Sequence, residues 1–180
     1  KMSRDENLNE KEALTSAIQN HQENKLEVAQ SFYKQVLKIN PKNLSALNNL
    51  GVILKGLGED QKAISYYEKA IKIEPNYADA HNNLGTVLNS LKHYNRAIIS
   101  FEKAIELNPN FADAHNNLGV VYNQSGKSQT AINFFEKAIN INPNHENAYF
   151  NLANIFVILT DYQKAVSYFE KVIEINPEHI

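Results

Sequence analysis

The sequence predicts an all-α fold, a solenoid of five helix-turn-helix units of 34 residues each, on three observations. The five prolines, Pro41, Pro75, Pro109, Pro143 and Pro177, stand 34 residues apart. Alanines keep the same interval at Ala29, Ala63, Ala97, Ala131 and Ala165, and so do the aromatics Tyr33, Tyr67, Phe101, Phe135 and Phe169. The phrase ADAHNNLG occurs at Ala78–Gly85 and again at Ala112–Gly119. Self-similarity at such a period marks units that bury their apolar faces on one another. The frame is 10–43, 44–77, 78–111, 112–145 and 146–179, a single domain preceded by a polar tail over 1–9.

Each unit reads as two helices. In the third, His81, Leu84, Gly85 and Leu88 follow the i, i+3, i+4, i+7 rule of one helical face. A break near Lys92–His93 follows, and Ala97, Phe101, Ala104 and Ile105 form the stripe of a second helix. Gly58 and Gly126 stand at the same break in the second and fourth units, where a left-handed terminus favours glycine. The proline ends the second helix, because the residue before it avoids the α region. The asparagine after proline, as in Pro75–Asn76, is expected to cap the next helix. Gly85, Ala97 and Ala104 are small enough to let two helices approach closely.

This pattern resembles the tetratricopeptide repeat over nearly the whole chain. The leucine–glycine pair, the two alanines, the aromatic and the proline stand in family register, and the usual tryptophan is replaced by Leu47, His81, His115 or Tyr149. The resemblance implies a right-handed superhelix, concave on the first helices and convex on the second. Chaperone-binding members of the family grip a C-terminal carboxylate with cations. Leu14, Ile18, Asn49, Asp79 and Asn83 occupy the matching positions, so that clamp is not expected.

Opposite the buried stripe of a first helix, at 100° per residue, lie paired asparagines. They are Asn48 and Asn49, Asn82 and Asn83, Asn116 and Asn117, then Phe150 and Asn151, with Asn154 one turn on. Asn49, Asn83, Asn117 and Asn151 form a ladder in phase. A carboxamide has donors and an acceptor, so such a row can pair with the backbone of an extended peptide whatever its side chains. The ladder is similar to that in the repeat region of O-linked N-acetylglucosamine transferase. The functional expectation is therefore a protein–protein interaction module, with protein or peptide as partner. The alternatives are the substrate-recruiting arm of a larger modifying enzyme such as a glycosyltransferase, and a self-assembling scaffold.

Other chemistry is weaker. Asp79 and Asp113 fit helix starts, where a carboxylate is favourable. His81 and His115 occupy packing positions without partners at metal-ligand spacing. The pairs Glu68–Lys69, Glu102–Lys103, Glu136–Lys137 and Glu170–Lys171 read as a solvated face. No nucleophile–base pair or phosphate loop is present, so no enzyme and no cofactor are expected.

Composition bounds the rest. There are 18 Lys and Arg against 20 Asp and Glu, a net charge of −2, without the basic surplus of a nucleic-acid binder. The absence of cysteine excludes disulfides and thiolate chemistry and suits the cytoplasm, the expected location. KMSRDENLNE has no apolar segment of a signal peptide, and the longest apolar run, Ile155–Leu159, is too short to span a bilayer, so no membrane is expected.

The two ends differ. Ala13, Ser16 and Asn20 make the first unit polar where later units are bulky, as suits a cap. The last unit carries Phe150, Phe156, Val157 and Ile158 on its first helix and Val166, Phe169, Val172 and Ile173 on its second. Ile180 opens a sixth unit, so an uncovered apolar face is expected there, favouring continuation of the chain, a partner, or a weak homodimer through the C-terminal repeat.

Overall fold

Residues 9–178 are described in the structure, a computed structural model. Among the described residues ten helices follow one another without a strand. They are α1 (Glu10–Gln22), α2 (Leu26–Ile39), α3 (Leu44–Gly56), α4 (Asp60–Ile73), α5 (Ala78–Ser90), α6 (Tyr94–Leu107), α7 (Ala112–Gln124), α8 (Ser128–Ile141), α9 (Glu146–Ile158) and α10 (Tyr162–Ile175). Two helices per 34-residue period is the all-α repeat fold that the sequence predicts. Ile180 lies outside the described residues, as do positions 1–8 of the expected tail. Asn9 belongs to α1, whose N-cap it supplies.

The chain divides into two compact units, Lys1–Val87 and Leu88–Ile180, with the boundary inside α5. In the first unit α1 packs on α2, α2 on α3 and α3 on α4. Ala80 of α5 joins Leu47 and Ala70 in an apolar cluster edged by Leu37, Tyr66 and Tyr77. In the second unit α6 packs on α7, α7 on α8, α8 on α9 and α9 on α10. Its cluster is built from Ile132, Phe135, Leu152, Ile155 and Phe156, with Ala131, Ala138, Ala148 and Ala165 between them.

The repeat register follows from ring-on-glycine packing. Tyr33, Tyr67, Phe101 and Phe135 are at most 1% exposed, and burying each such side chain contributes roughly 1.5–3 kcal/mol. A Cβ at Gly51 would lie 2.5 Å from the Tyr67 ring, and one at Gly119 would lie 2.7 Å from that of Phe135. Nothing larger than glycine fits without moving the ring, hence the glycine one residue after the in-phase leucine of α3 and α7.

Every first helix ends in a left-handed residue. Gly58 (φ 75°) and Gly126 (φ 76°) do so without strain, whereas Asn24 (56°), Lys92 (62°) and Thr160 (59°) hold the same geometry with a side chain. Second helices end in an extended residue before proline, as at Asn40, Asn142 and Asn176. The carboxamide of that residue then accepts the N–H two positions on: Asn40 from Lys42 (3.0 Å), Asn108 from Asn110 (3.2 Å), Asn142 from Asn144 (3.1 Å). Glu74 serves Asn76 in the same way. These are Asx-type turns wrapped over the proline.

Those turns correct the expected caps. Asn76 and Asn110 are engaged through their backbone inside the turn, and the helix begins later. Phe111 stands at the N-cap of α7 and caps nothing with its side chain. Where a first helix has a side-chain cap it comes from the last residue of the preceding period: Asn43 accepts from Ala46 N–H at 2.8 Å, and His145 Nδ1 from Ala148 N–H at 3.2 Å. Asp79 and Asp113 do lie in the first turns of their helices, on the favourable side of the dipole.

On its second helix the apolar end is narrower than expected. Val172 is buried and Phe169 half-buried, because α9 covers them. On α10 Val166 and Ile173 are exposed, at 55% and 48%, and on α9 Phe150, Val157 and Ile158 are exposed as well.

Candidate functional site

The face of the first helices carries the paired asparagines, and the two members of a pair point differently. Asn48, Asn82 and Asn116 are buried, each less than a tenth exposed. Asn49, Asn83, Asn117 and Asn151 are half-buried and reach the surface. The first members therefore do not lie on an open face as expected, and only the second members are accessible.

A hydrogen bond links the two rows across consecutive repeats. Asn83 Nδ2 of α5 donates to Asn48 Oδ1 of α3 at 2.9 Å. Asn151 Nδ2 of α9 donates to Asn116 Oδ1 of α7 at 3.0 Å, and Asn116 Nδ2 approaches Asn117 Oδ1 at 3.4 Å. The buried carboxamide thus satisfies its oxygen with its neighbour's amide. It also fixes how the half-buried carboxamide is turned. Each donating amide keeps a second N–H and its own oxygen beyond this bond.

Asn49 has no such anchor, because Leu14 occupies in α1 the position that Asn48 holds in α3. Its Nδ2 lies instead 3.3 Å from Ser45 Oγ. Burial raises the Tyr33 phenol above its ordinary range, and the nearby Asn49 carboxamide partly offsets this. The corresponding Tyr67 is raised further by burial alone. At the other end Phe150 is exposed at 38% and meets the Phe169 ring edge-on at 5.9 Å. Asn154 Nδ2 is turned back onto the Phe150 carbonyl oxygen at 3.0 Å.

The titratable residues of these helices act within the fold. His81 and His115 place Nε2 at 2.9 and 3.0 Å from the carbonyl oxygens of Pro75 and Pro109, tying each helix start to the turn before it. Asp113 accepts from His145 Nε2 at 3.0 Å, which holds its carboxyl below the usual range. His145 is missed by periodicity reading, since it stands where other units carry Asn43, Tyr77 or Phe111. It joins α7 to the capped start of α9. Glu10 likewise accepts from Asn43 and Asn40, both at 2.8 Å, and its carboxyl is lowered by those two carboxamides.

Within each unit, helix pairs packed in series with polar side chains on the first helices define the class of helical-repeat interaction modules. Tetratricopeptide repeat models match residues 20–43, 45–77, 78–111 and 110–178. The chain belongs to the tetratricopeptide repeat family, whose members bind protein or peptide partners. A crystal structure of MamA is 30% identical, covering 90% of this chain and 95% of that one, with a TM-score of 0.73. YrrB, described as a TPR protein with an unusual peptide-binding site, is 25% identical over 95% of this chain and 88% of its own, with a TM-score of 0.67. TTC0263 of Thermus thermophilus, at 20% identity, covers 95% and 93% with a TM-score of 0.84 and shares the fold. Comparison with curated proteins gave no match. Among the described residues no helix is long and apolar enough to cross a membrane.

Proposed function

We propose that the chain is a non-catalytic module that holds an extended segment of a partner protein along its first-helix face. Each compact unit offers two carboxamide rungs, Asn49 and Asn83 in the first, Asn117 and Asn151 in the second. The observation that supports this reading most is the anchoring of Asn83 and Asn151 from behind by Asn48 and Asn116. An amide already turned by a buried partner loses less freedom when a ligand binds than a free side chain does. Asn48 and Asn116 then support the rungs, buried Asn82 like them does not touch the ligand, and Phe150 and Asn154 flank the last rung. At roughly 0.5–1.5 kcal/mol net per hydrogen bond, the rungs supply modest affinity and the ligand's side chains supply the rest. A net charge of −2 favours a protein over a nucleic acid as the partner.

The test is backbone dependence. A peptide mapped from a partner captured by this chain is compared with the same peptide N-methylated at alternate residues. Tenfold weaker binding of the methylated peptide, matched by the Asn49→Ala, Asn83→Ala, Asn117→Ala, Asn151→Ala variant, is expected. Equal binding of the methylated and unmethylated peptides would refute backbone recognition.

A second reading, self-association through the last repeat, is favoured by Val166. Its equivalents Ile64 and Ile132 are 9% and 6% exposed, against 55% for Val166.

A further inference from the structure

The end of α9 carries side chains that the repeat itself does not require. In phase with Ile158 stand Gln22, Gly56, Ser90 and Gln124, all of them exposed. In phase with Val157 stand Lys55, exposed, and Asn123, half-buried. Later helices follow α3 and α7, and these positions stay open all the same, so stacking of the next repeat does not cover them. Val157 and Ile158 are 42% and 73% exposed. Two large apolar side chains are thus held in solvent at a place where packing between repeats gives them no partner. Leu159 is a different case, since Leu57 holds the same phase at the same 50% exposure.

Their place on α9 ties the two residues to the last carboxamide rung. Val157 lies at i+7 from Phe150 and Ile158 at i+7 from Asn151, hence on the same helical face. Side chains lean towards the N-terminus of their helix, which tilts Val157 and Ile158 back towards Asn151. Between them Asn154 has turned its Nδ2 onto the Phe150 carbonyl oxygen at 3.0 Å. Phe169 meets the Phe150 ring edge-on, with centroids 5.9 Å apart, and fixes how that ring stands. No charged residue occurs between Glu146 and Asp161. The corresponding end of α7 is Asn123 and Gln124, so an apolar end distinguishes the last rung from the one before it.

We propose that the end of α9 is a subsite for a large apolar side chain, phenylalanine or leucine, of the bound segment. Asn151 holds the segment's backbone, and the apolar side chain lies over Asn154 against Phe150, Val157 and Ile158. A carboxylate or an ammonium group would give up water there without meeting a counter-charge. The subsite is separate from the stripe of Val166 and Ile173 on α10, whose equivalents in α8 are covered by α9. It rests on the peptide-binding reading, of which it names one side-chain preference and its place.

The test titrates the whole chain, followed by methyl and aromatic NMR signals, with N-acetylphenylalanine N-methylamide and its leucine analogue. The asparagine and glutamate analogues serve as the other arms. Saturable shifts at the Val157 and Ile158 methyls and the Phe150 ring are expected, with both polar analogues at least fivefold weaker. Val157→Asn with Ile158→Gln, the pair that α7 carries in phase, should weaken the phenylalanine probe about tenfold. Both positions are exposed, so helix content by circular dichroism should not change. Val166→Glu with Ile173→Lys on α10 should leave the probe's binding as it was. Shifts that never saturate, a glutamate analogue that binds as well, or loss of the probe in the α10 variant would overturn the subsite. So would a Val157→Asn, Ile158→Gln variant that turns monomeric yet keeps the probe, because a second copy would then cover the patch. Asn49→Ala with Asn83→Ala, in the first unit, should weaken an extended partner and spare the probe. If the partner keeps that dependence and the probe fails, the subsite alone falls. If the probe binds and the partner shows no such dependence, the backbone reading alone falls.

Discussion

Asn151 on α9 and Asn116 on α7 are joined amide to amide at 3.0 Å, and the acceptor is the buried member of the pair. That asymmetry separates the two residues energetically. Helix propensity alone favours alanine at position 151, since asparagine is the poorer helix former. Replacing Asn151 by alanine also strands the Asn116 oxygen inside the unit, which costs about 1–3 kcal/mol and outweighs the propensity gain. Asn151→Ala is therefore expected to lower stability in urea unfolding. Asn116→Leu combined with Asn151→Ala removes both polar groups and should recover much of the loss. A single Asn151→Ala variant as stable as the parent would show that water reaches Asn116.

Thr160 ends α9 at φ 59°, a left-handed conformation that a β-branched residue adopts at a cost. Gly58 and Gly126 do the same task freely. Thr160→Gly should raise stability by about 0.5–1 kcal/mol, the relief of strain being partly offset by the freedom glycine gains when unfolded. The reverse change, Gly126→Thr, should destabilise, and thermal melts of the two variants give opposite signs if the geometry is right.

The Asp113–His145 contact makes the coupling of α7 to α9 acid-sensitive. The His145 hydrogen bond lowers the folded-state pKa of Asp113 below its unfolded value. Its stabilising contribution is therefore complete above the unfolded value, about 3.9, and is lost as pH falls through the folded one. Asp113→Asn should be less stable than the parent at pH 7, and the gap should close on acidification below about pH 4. Solvent around the largely exposed carboxylate keeps the effect small. Parallel urea titrations at several pH values check this, and a gap that widens in acid would contradict the assignment.

The helices were legible because a 34-residue period repeats their turn, stripe and stop signals five times over. Proline fixed the phase, and the glycines at 51 and 119 marked where a ring would press. Burial of Asn48 was not legible from its own helix. A helical wheel places it beside Asn49 on the polar side, but the next repeat's first helix covers it, and no wheel contains that neighbour. The bond to Asn83 depends on the same neighbour. The signal for the first repeat's exception was present all along, since Leu14 stands in the phase of Asn48. The His145 cap escaped for another reason. The asparagine next to proline has the composition of a cap, but the Asx turn occupies that stretch and postpones the helix.

The last repeat supplies the remaining prediction. Val166 and Ile173 lie on one stripe of α10, with Tyr162 a turn before them at 63% exposure. In α8 the equivalents of the first two, Ile132 and Ile139, are buried and half-buried, because α9 packs against that helix. Covering a valine or isoleucine fully is worth about 1.5–3 kcal/mol, and about half of that area is already covered here. Two or three half-exposed side chains do not hold an obligate dimer against the cost of association. A weak two-fold pairing of last repeats is expected, since it covers the same patch on both copies. A head-to-tail stack is disfavoured, because Glu12 in α1 stands where α3, α7 and α9 place the fully buried Ala46, Ala114 and Ala148. Sedimentation over a hundredfold concentration range should show the average mass rising above 20.4 kDa. Val166→Glu with Ile173→Lys, both at exposed positions, should return the chain to monomer without changing its melting temperature by more than a few degrees. If the unmodified chain stays monomeric throughout, the stripe on α10 is not a self-association surface.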